Sequence, residues 1–216
     1  MSLTRPLVLA IDGPAASGKG TIAKALARHY GLPHMDTGLL YRAVALSLFR
    51  FGGDAASEFE AARAVHEIDK IDLADDELKS EIVGGIASRI SAYPAVRAAL
   101  LEKQRAFAGQ DGGAVLDGRD IGTVIAPDAR VKLFVTASPE VRAERRLAEL
   151  FSRGMSAHHD EVLADIRARD ERDMGRSVAP LVQAADAMLL DTSEMDVEQA
   201  ISEALRLVEV ALTADA

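Results

Sequence analysis

A glycine-rich segment followed by a lysine carries the clearest chemistry in this sequence. Four residues separate Gly13 from Gly18, and Lys19, Gly20 and Thr21 follow directly. Glycines let the backbone curl so that successive N–H groups point at one anion, and a lysine adds a mobile positive charge. The spacing predicts a phosphate-binding P-loop. Its residues are Gly13, Pro14, Ala15, Ala16, Ser17, Gly18, Lys19, Gly20 and Thr21.

The segments on either side suit such a loop. The short apolar run 7–11 is typical of a buried parallel strand, and apolar residues at helical spacing follow from Ile22 to Tyr30. Gly31 and Pro33 should end that helix. The alternative is a glycine-rich turn with a surface lysine, but the strand, loop and helix together favour phosphate binding.

The P-loop lacks the hydroxyl residue that usually binds Mg²⁺ directly after the lysine. Gly20 stands where a hydroxyl residue usually follows the lysine, so the hydroxyl moves to Thr21. We therefore expect Mg²⁺ to be held mostly by nucleotide phosphates and water. Asp117, after the apolar run 114–116, is the carboxylate best placed to anchor one of those waters. It could instead be a turn or capping residue.

Arginine supplies most of the remaining positive charge. The chain has 19 Arg and 6 Lys, and eight of the arginines lie between residues 142 and 176. They are Arg142, Arg145, Arg146, Arg153, Arg167, Arg169, Arg172 and Arg176. Guanidinium groups suit several phosphate oxygens at once, although the same segment holds eight acids, so about half of these arginines should form surface ion pairs. Gly154 predicts a hinge between two helices, as a mobile lid requires.

Composition excludes several classes of protein. The chain has 216 residues, 49% of them apolar, and a net charge of −9, which indicates a folded protein that does not coat nucleic acid or anionic membranes. It has no Cys, which excludes disulfides and thiolate sites, and neither a leader nor a long apolar run, so we expect a cytoplasmic location. Because there is no Asn, the N-K-x-D signature of GTPase switches is absent.

The remaining elements complete an α/β pattern. Further strands are predicted over 114–116, 131–135 and 187–190, with helices starting after Ser138 and at Asp196. Residues 57–109 are helical and acidic, and they look like an insertion between the second and third strands. We therefore expect a mostly parallel sheet with an inserted helical region.

Several further motifs, in order along nearly the whole chain, resemble bacterial cytidylate kinases. They are the P-loop, Met35–Gly38, Tyr41–Arg42, Ala92–Arg97, Gln104–Phe107, Asp117–Thr123, Phe134–Ala137 and Arg169–Pro180. The Asp-Gly-Arg-Asp and Arg-Asp-x-Arg-Asp motifs are specific to that family among nucleoside monophosphate (NMP) kinases.

The resemblance implies a three-layer α/β/α P-loop kinase fold with a five-stranded parallel sheet, an inserted NMP-binding region and a lid. Residues 1–36 and 110–216 would form the core, with the lid over about 142–160, and residues 37–109 the helical and NMP-binding region. The implied reaction transfers a phosphoryl group from ATP to CMP or dCMP with Mg²⁺. We expect a monomer that binds these nucleotides and neither nucleic acid nor membrane.

The same resemblance assigns roles to individual residues. Catalytic groups would be Lys19, Arg119, Arg145, Arg146 and Arg176, with Arg153 also covering the ATP phosphates. The CMP phosphate would be held by Thr37, Arg42, Arg119 and Arg176, and the cytosine by Ser88, Arg97 and Asp120. Arg169 and Asp173 would face the sugar and phosphate, and Thr21 and Asp117 would serve Mg²⁺, the latter through water.

Some of these residues could instead have a purely structural role. Thr37 could be a helix cap, and Asp120 and Asp173 could be structural partners of arginines. The region from Thr37 to Ser88 is shorter than is usual in the family, which leaves the choice between CMP and dCMP open. A kinase for another NMP or a small hydroxy acid is the runner-up, and a nucleotide sensor is the non-enzymatic alternative.

Overall fold

The computed structural model describes residues 6–214, and its strands confirm the predicted α/β class. The strands are β1 Leu7–Asp12, β2 His34–Asp36, β3 Gly113–Gly118, β4 Val131–Thr136 and β5 Met188–Asp191. They form one five-stranded parallel sheet in the order β2-β3-β1-β4-β5. Strand β1 is central, and its residues Leu9, Ala10 and Ile11 are fully buried, which explains their uninterrupted apolar character.

Helices occupy most of the remaining chain. They are α1 Lys19–Tyr30, α2 Thr37–Arg50, α3 Glu58–Ala64, α4 Glu81–Ile90, α5 Pro94–Ala108, α6 Pro139–Ser152, α7 His159–Met174 and α8 Val197–Ala214. Two predicted helix starts are confirmed. Ser138 accepts a hydrogen bond from the Val141 N–H, and Asp196 and Gln199 each accept one from the other's N–H. None of the helices described between residues 6 and 214 is long and apolar enough to cross a bilayer.

The position of the P-loop follows from the strand order. The chain leaves β1 for β2 and β3 on one side of it, and later adds β4 and β5 on the other side. In open parallel sheets this reversal leaves a crevice at the carboxyl end of the central strand. Asp12, the last residue of β1, therefore leads directly into the predicted phosphate-binding loop.

One apolar core supports this end of the sheet. Leu9 and Ile11 of β1 pack with residues of β3, β4 and β5 and with the inner faces of α1 and α8. Helix α1 ends as predicted at Gly31, whose φ is +64° and whose N–H donates to the Ala27 carbonyl. The loop thus lies between two well-packed elements, β1 and α1.

The chain divides into two compact units. The first contains the described residues up to Met35 and those from Ala108 onwards, and the second is Asp36–Phe107. The functional division predicted from the sequence, at 36/37 and 109/110, stays a prediction, and its outermost residues 1–5 and 215–216 lie outside the described chain. The second unit is helical, as predicted for residues 57–109, with short 3₁₀ turns at Val65–Lys70 and Asp76–Lys79.

Helices α6 and α7 share a small core of their own. Ala143 and Leu150 of α6 pack with Val162 and Ile166 of α7, and Ala16 of the P-loop packs against the same cluster. The connection between the helices contains Gly154, with φ of +74°. Most of α6, this connection and the start of α7 make up residues 142–160, for which the sequence predicts a lid.

Candidate functional site

The backbone of the P-loop follows the path that its glycines allow. A Cβ on Gly13 would lie 2.0 Å from the Val135 carbonyl oxygen, so this turn accepts no side chain at that position. Gly18 has φ of +89° and precedes α1, and its carbonyl accepts the Thr21 and Ile22 N–H groups. The loop therefore curls into the N-terminus of α1, where the backbone favours an anion.

Two side chains of the loop support phosphate binding. The Ser17 hydroxyl is fully buried and has no hydrogen-bond partner among the described residues. The Lys19 ammonium lies across the loop, 3.2 Å from the Pro14 carbonyl oxygen. A buried hydroxyl without a partner is costly unless a ligand satisfies it, and the ammonium charge is within the same curl.

Asp117 ends up beside this loop, at the carboxyl end of β3. It is buried, and its Oδ1 lies 2.7 Å from His34 Nε2 on the neighbouring strand β2. Its Oδ2 lies 3.7 Å from the position that a Cβ on Gly20 would occupy. The carboxylate thus reaches the first turn of α1, where Thr21 is exposed.

Three predicted arginines lie around one carboxylate in the first unit. Arg119 donates to Asp173 Oδ2 over 2.8 Å, Arg176 donates to Oδ1, and the charge of Arg169 also acts on Asp173. Burial alone would raise the pKa of Asp173, but these guanidinium groups hold it down at about 2. Three guanidinium groups thus lie near one buried carboxylate, and guanidinium groups suit a phosphate.

The loop after β3 is held by a residue that sequence reasoning missed. Asp12 accepts hydrogen bonds from the Ile121 and Gly122 N–H groups over 2.8 and 2.7 Å. These residues begin a one-turn π-helix, Ile121–Ile125, and Asp120 immediately precedes it. Asp12 therefore fixes the backbone that carries Arg119 and the buried Asp120.

Stability should depend on the protonation of Asp12. Burial raises the pKa of this carboxyl from 3.8 to about 6, so the folded protein binds a proton more readily than the unfolded chain. That contribution to stability is complete below pH 4 and is lost as the pH rises through 6. Urea unfolding should therefore show Asp12→Asn gaining about 2–3 kcal/mol relative to the parent between pH 4 and pH 7. A difference that does not change over this range would contradict the assignment.

The predicted lid arginines differ in their surroundings. Arg145 donates to the Thr192 hydroxyl and carbonyl over 2.9 and 2.7 Å, and its guanidinium also lies near the Ser17 carbonyl. Arg146 and Arg153 both pair with Glu149 on α6. Arg145 thus links α6 to the P-loop and to the segment after β5, while Arg146 and Arg153 share a carboxylate within and just after α6.

Arg142 is a structural member of the arginine-rich segment. Its guanidinium binds both oxygens of Asp170 on α7, over 3.0 and 2.7 Å, and donates to the Ala137 carbonyl. This fully paired group joins α6 to α7. The predicted share of surface ion pairs stays a prediction. Arg146, Arg153 and Arg167 form ion pairs at partly exposed or exposed positions, whereas Arg142 and Arg176 form buried ones.

In the second unit, two predicted phosphate ligands lie on α2. Thr37 is buried in the first turn of the helix, but the capping position belongs to Asp36, so the helix-cap interpretation of Thr37 is wrong. Arg42 donates to the Leu78 carbonyl over 2.6 Å and lies over Gly84 of α4. The absence of a side chain on Gly84 admits the guanidinium.

The two predicted base ligands of the second unit lie near the junction of α4 and α5. Arg97 is buried, donates to the Ser91 carbonyl over 3.2 Å and stacks on the Tyr41 ring at 5.7 Å. The Ser88 hydroxyl is buried and has no hydrogen-bond partner among residues 6–214. An unsatisfied hydroxyl of this kind is available for a ligand.

Comparisons with known proteins identify the family of this chain. A family model described as cytidylate kinase matches residues 9–210. A cytidylate kinase from Xanthobacter autotrophicus is 59% identical over 205 residues, which cover 94% of this chain and 97% of the relative. One from Rhodopseudomonas palustris (strain TIE-1) is 56% identical over 203 residues, which cover 94% and 96%. This chain belongs to the cytidylate kinase family.

A solved structure agrees with the fold of this cytidylate kinase family member. A gluconokinase from Sinorhizobium meliloti 1021 superposes with a TM-score of 0.50 at 16% identity, covering 97% of this chain and 96% of that one. At this identity the likeness concerns the fold alone. The predicted P-loop kinase fold is therefore confirmed.

Proposed function

We propose that this chain transfers the γ-phosphoryl group of ATP to CMP and dCMP, giving ADP and CDP or dCDP. The observation that carries this proposal is the similarity to proteins named cytidylate kinase over 94% of the chain. That similarity extends over both the P-loop and the arginine cluster. The enzyme class is thus a kinase, and the acceptor follows from the family.

On the donor side, the P-loop backbone and Lys19 would bind the ATP phosphates. Arg145 lies beside the loop already, whereas Arg146 and Arg153 would exchange Glu149 for phosphate oxygens when the lid closes. Several phosphate oxygens would give these two guanidinium groups more charge-assisted hydrogen bonds than the single carboxylate of Glu149 does. This supports a lid that closes on the nucleotide.

The residues near the P-loop fit a magnesium ion bound mainly through ATP. No cluster of three or more acidic or histidine side chains capable of holding a metal occurs among residues 6–214. Asp117 and the exposed Thr21 provide hard oxygen atoms beside the start of α1. When bound, Mg²⁺ would neutralise phosphate charge, with Asp117 holding a coordinated water and Thr21 nearby.

On the acceptor side, we assign ligands residue by residue from the resemblance to the family. In the first unit, Arg119, Arg169 and Arg176 would bind the CMP phosphate and sugar side, with Asp173 fixing their geometry. In the second unit, we assign phosphate contacts to Thr37 and Arg42. The residues that we assign to the cytosine are Ser88, Arg97 and Asp120.

Direct phosphoryl transfer asks little covalent chemistry of these residues. The reaction needs two aligned nucleotides and neutralised charge rather than a protein nucleophile. Lys19, Arg119 and Arg176 would stabilise charge that spreads over the transferring group. The chain supplies these fixed positive groups.

A coupled assay over a panel of acceptors tests the proposed function. CMP and dCMP should give the highest kcat/KM, above UMP, AMP, GMP and shikimate. A preference for shikimate or another nucleotide would support the runner-up kinase. Binding of ATP without turnover of any acceptor would support a nucleotide sensor. Light scattering would test the monomeric state, and cell fractionation the cytoplasmic location.

The buried hydroxyl of Ser88 gives a specific test of the base site. Ser88→Ala should leave stability unchanged, because no hydrogen bond is lost within the protein. It should raise KM for CMP about threefold to tenfold, the value of one hydrogen bond. Ser47→Ala is the matched control, because Ser47 in the same unit also has a buried, unpartnered hydroxyl and is not assigned to the site. Equal effects on KM in both variants would refute the role of Ser88.

The lid assignment predicts a change in dynamics. Hydrogen exchange over residues 142–160 should slow when a bisubstrate analogue binds, because Arg146 and Arg153 would then exchange Glu149 for the bound phosphates and close the lid. Helix α8, which packs in the core of the sheet and is assigned no role in the lid, serves as the internal control. Unchanged exchange over 142–160 would count against a lid.

A further inference from the structure

The two oxygens of the Asp117 carboxylate face different neighbours. Oδ1 lies 2.7 Å from His34 Nε2, and Oδ2 lies toward the start of α1, 3.7 Å from where a Cβ on Gly20 would be. Both side chains are largely shielded, with 3% of Asp117 and 16% of His34 exposed. The contact is therefore a persistent one in a protected place rather than a surface ion pair.

The direction of this hydrogen bond is fixed by chemistry. An ionised carboxylate can only accept, so His34 donates through Nε2–H whether or not the ring also carries a second proton. His34 is on β2 and Asp117 is on β3, which are neighbours in the sheet. The terminal torsion of an Asp side chain is otherwise broadly distributed. A residue of β2 thus restricts the orientation of the Asp117 carboxylate by binding Oδ1.

We propose that His34 is a positioning residue for the magnesium-dependent binding of ATP. By holding Oδ1, it keeps Oδ2 of Asp117 directed at the first turn of α1, where Oδ2 would accept a hydrogen bond from a water coordinated to Mg²⁺. The proposal deepens the proposed function and rests on its assignment of Asp117. Hydrogen bonds to the groups that orient a metal's ligands are known to affect metal affinity and activity.

The alternative is that His34 merely ties β2 to β3. The two roles differ in what they change. If the hydrogen bond only connects β2 to β3, its loss lowers the stability of the fold. It then changes the affinity for ATP by the same factor with and without Mg²⁺. A positioning role affects the gain in affinity that Mg²⁺ provides and leaves metal-free binding of ATP unchanged.

The test measures binding of a non-hydrolysable ATP analogue by calorimetry, at one fixed pH, with and without Mg²⁺. His34→Leu removes the donor, and the gain in affinity from Mg²⁺ should fall about tenfold, the lower end of effects on groups that orient metal ligands. His34→Gln retains an N–H₂ donor of similar reach and should restore most of that gain. Metal-free affinity should be the same in all three proteins.

Two outcomes would separate this proposal from the proposed function. Suppose that Asp117→Asn abolishes the gain in ATP affinity from Mg²⁺ and that His34→Leu does not reduce it. His34 then only connects β2 to β3, and the proposal is overturned. If Asp117→Asn also keeps the full effect, the assignment of Asp117 itself is wrong. Should His34→Leu fail to fold, His34→Asn replaces it, because its shorter amide cannot reach Oδ1; a full effect of Mg²⁺ in His34→Asn would overturn the proposal.

Discussion

Replacing Lys19 with alanine should lower kcat about 10²- to 10³-fold while raising KM for CMP much less. The Lys19 ammonium lies within the curl of the P-loop, and we assign it to charge that develops during transfer. An interaction made mainly in the transition state affects kcat more than substrate binding. Steady-state kinetics with ATP and CMP varied separately will measure both effects.

Lys24 provides a matched control for this experiment. It lies on the same helix, α1, carries the same charge and is exposed, so Lys24→Ala should leave kcat nearly unchanged. A loss in Lys19→Ala of less than about tenfold would be too small for such a group and would rule out its catalytic role.

Substitution of Asp120 by asparagine should change the choice of base. CMP presents an amine donor where UMP presents a carbonyl acceptor, and a carboxylate can only accept. Asp120→Asn should therefore lose activity on CMP and gain relative activity on UMP. The ratio of the two kcat/KM values should change by roughly 10- to 200-fold, since one favourable pair is lost and one repulsion is relieved.

The position of Asp120 makes this substitution informative. The residue is buried and nearly isosteric with its replacement, and Asp12 holds the backbone that follows it. The exposed Asp128 provides the control, because Asp128→Asn makes the same chemical change between β3 and β4. An equal loss of CMP and UMP turnover in Asp120→Asn would make Asp120 a structural residue, and base selection would then depend on Ser88 and Arg97.

Local chemistry made part of this molecule predictable from its sequence. The P-loop, the end of α1 at Gly31 and the reciprocal caps of Asp196 and Gln199 each depend on residues within a few positions of one another. Their spacing therefore carries the whole signal. The strands could also be recognised, because a buried parallel sheet requires short apolar runs.

Contacts across the fold could not be predicted in the same way. Asp12 binds backbone groups 109 and 110 residues further along, and His34 binds Asp117 across 83 residues. Only strand order brings these groups together. The sequence nevertheless contained a signal for Asp12, because a carboxylate at the end of a buried strand needs hydrogen-bond partners. The loop after the neighbouring strand in the sheet, β3, supplies them.

The close approach of Gly13 to β4 also bears on how this sequence can evolve. Any side chain at position 13 would have to displace the main-chain carbonyl of Val135 in a central pair of strands, so no series of mild substitutions leads away from glycine. Gly31 faces open space, and asparagine can adopt its backbone conformation. Gly13, the first residue of the P-loop before α1, is thus fixed by its contact with β4. Gly31, which follows α1, tolerates substitution by asparagine.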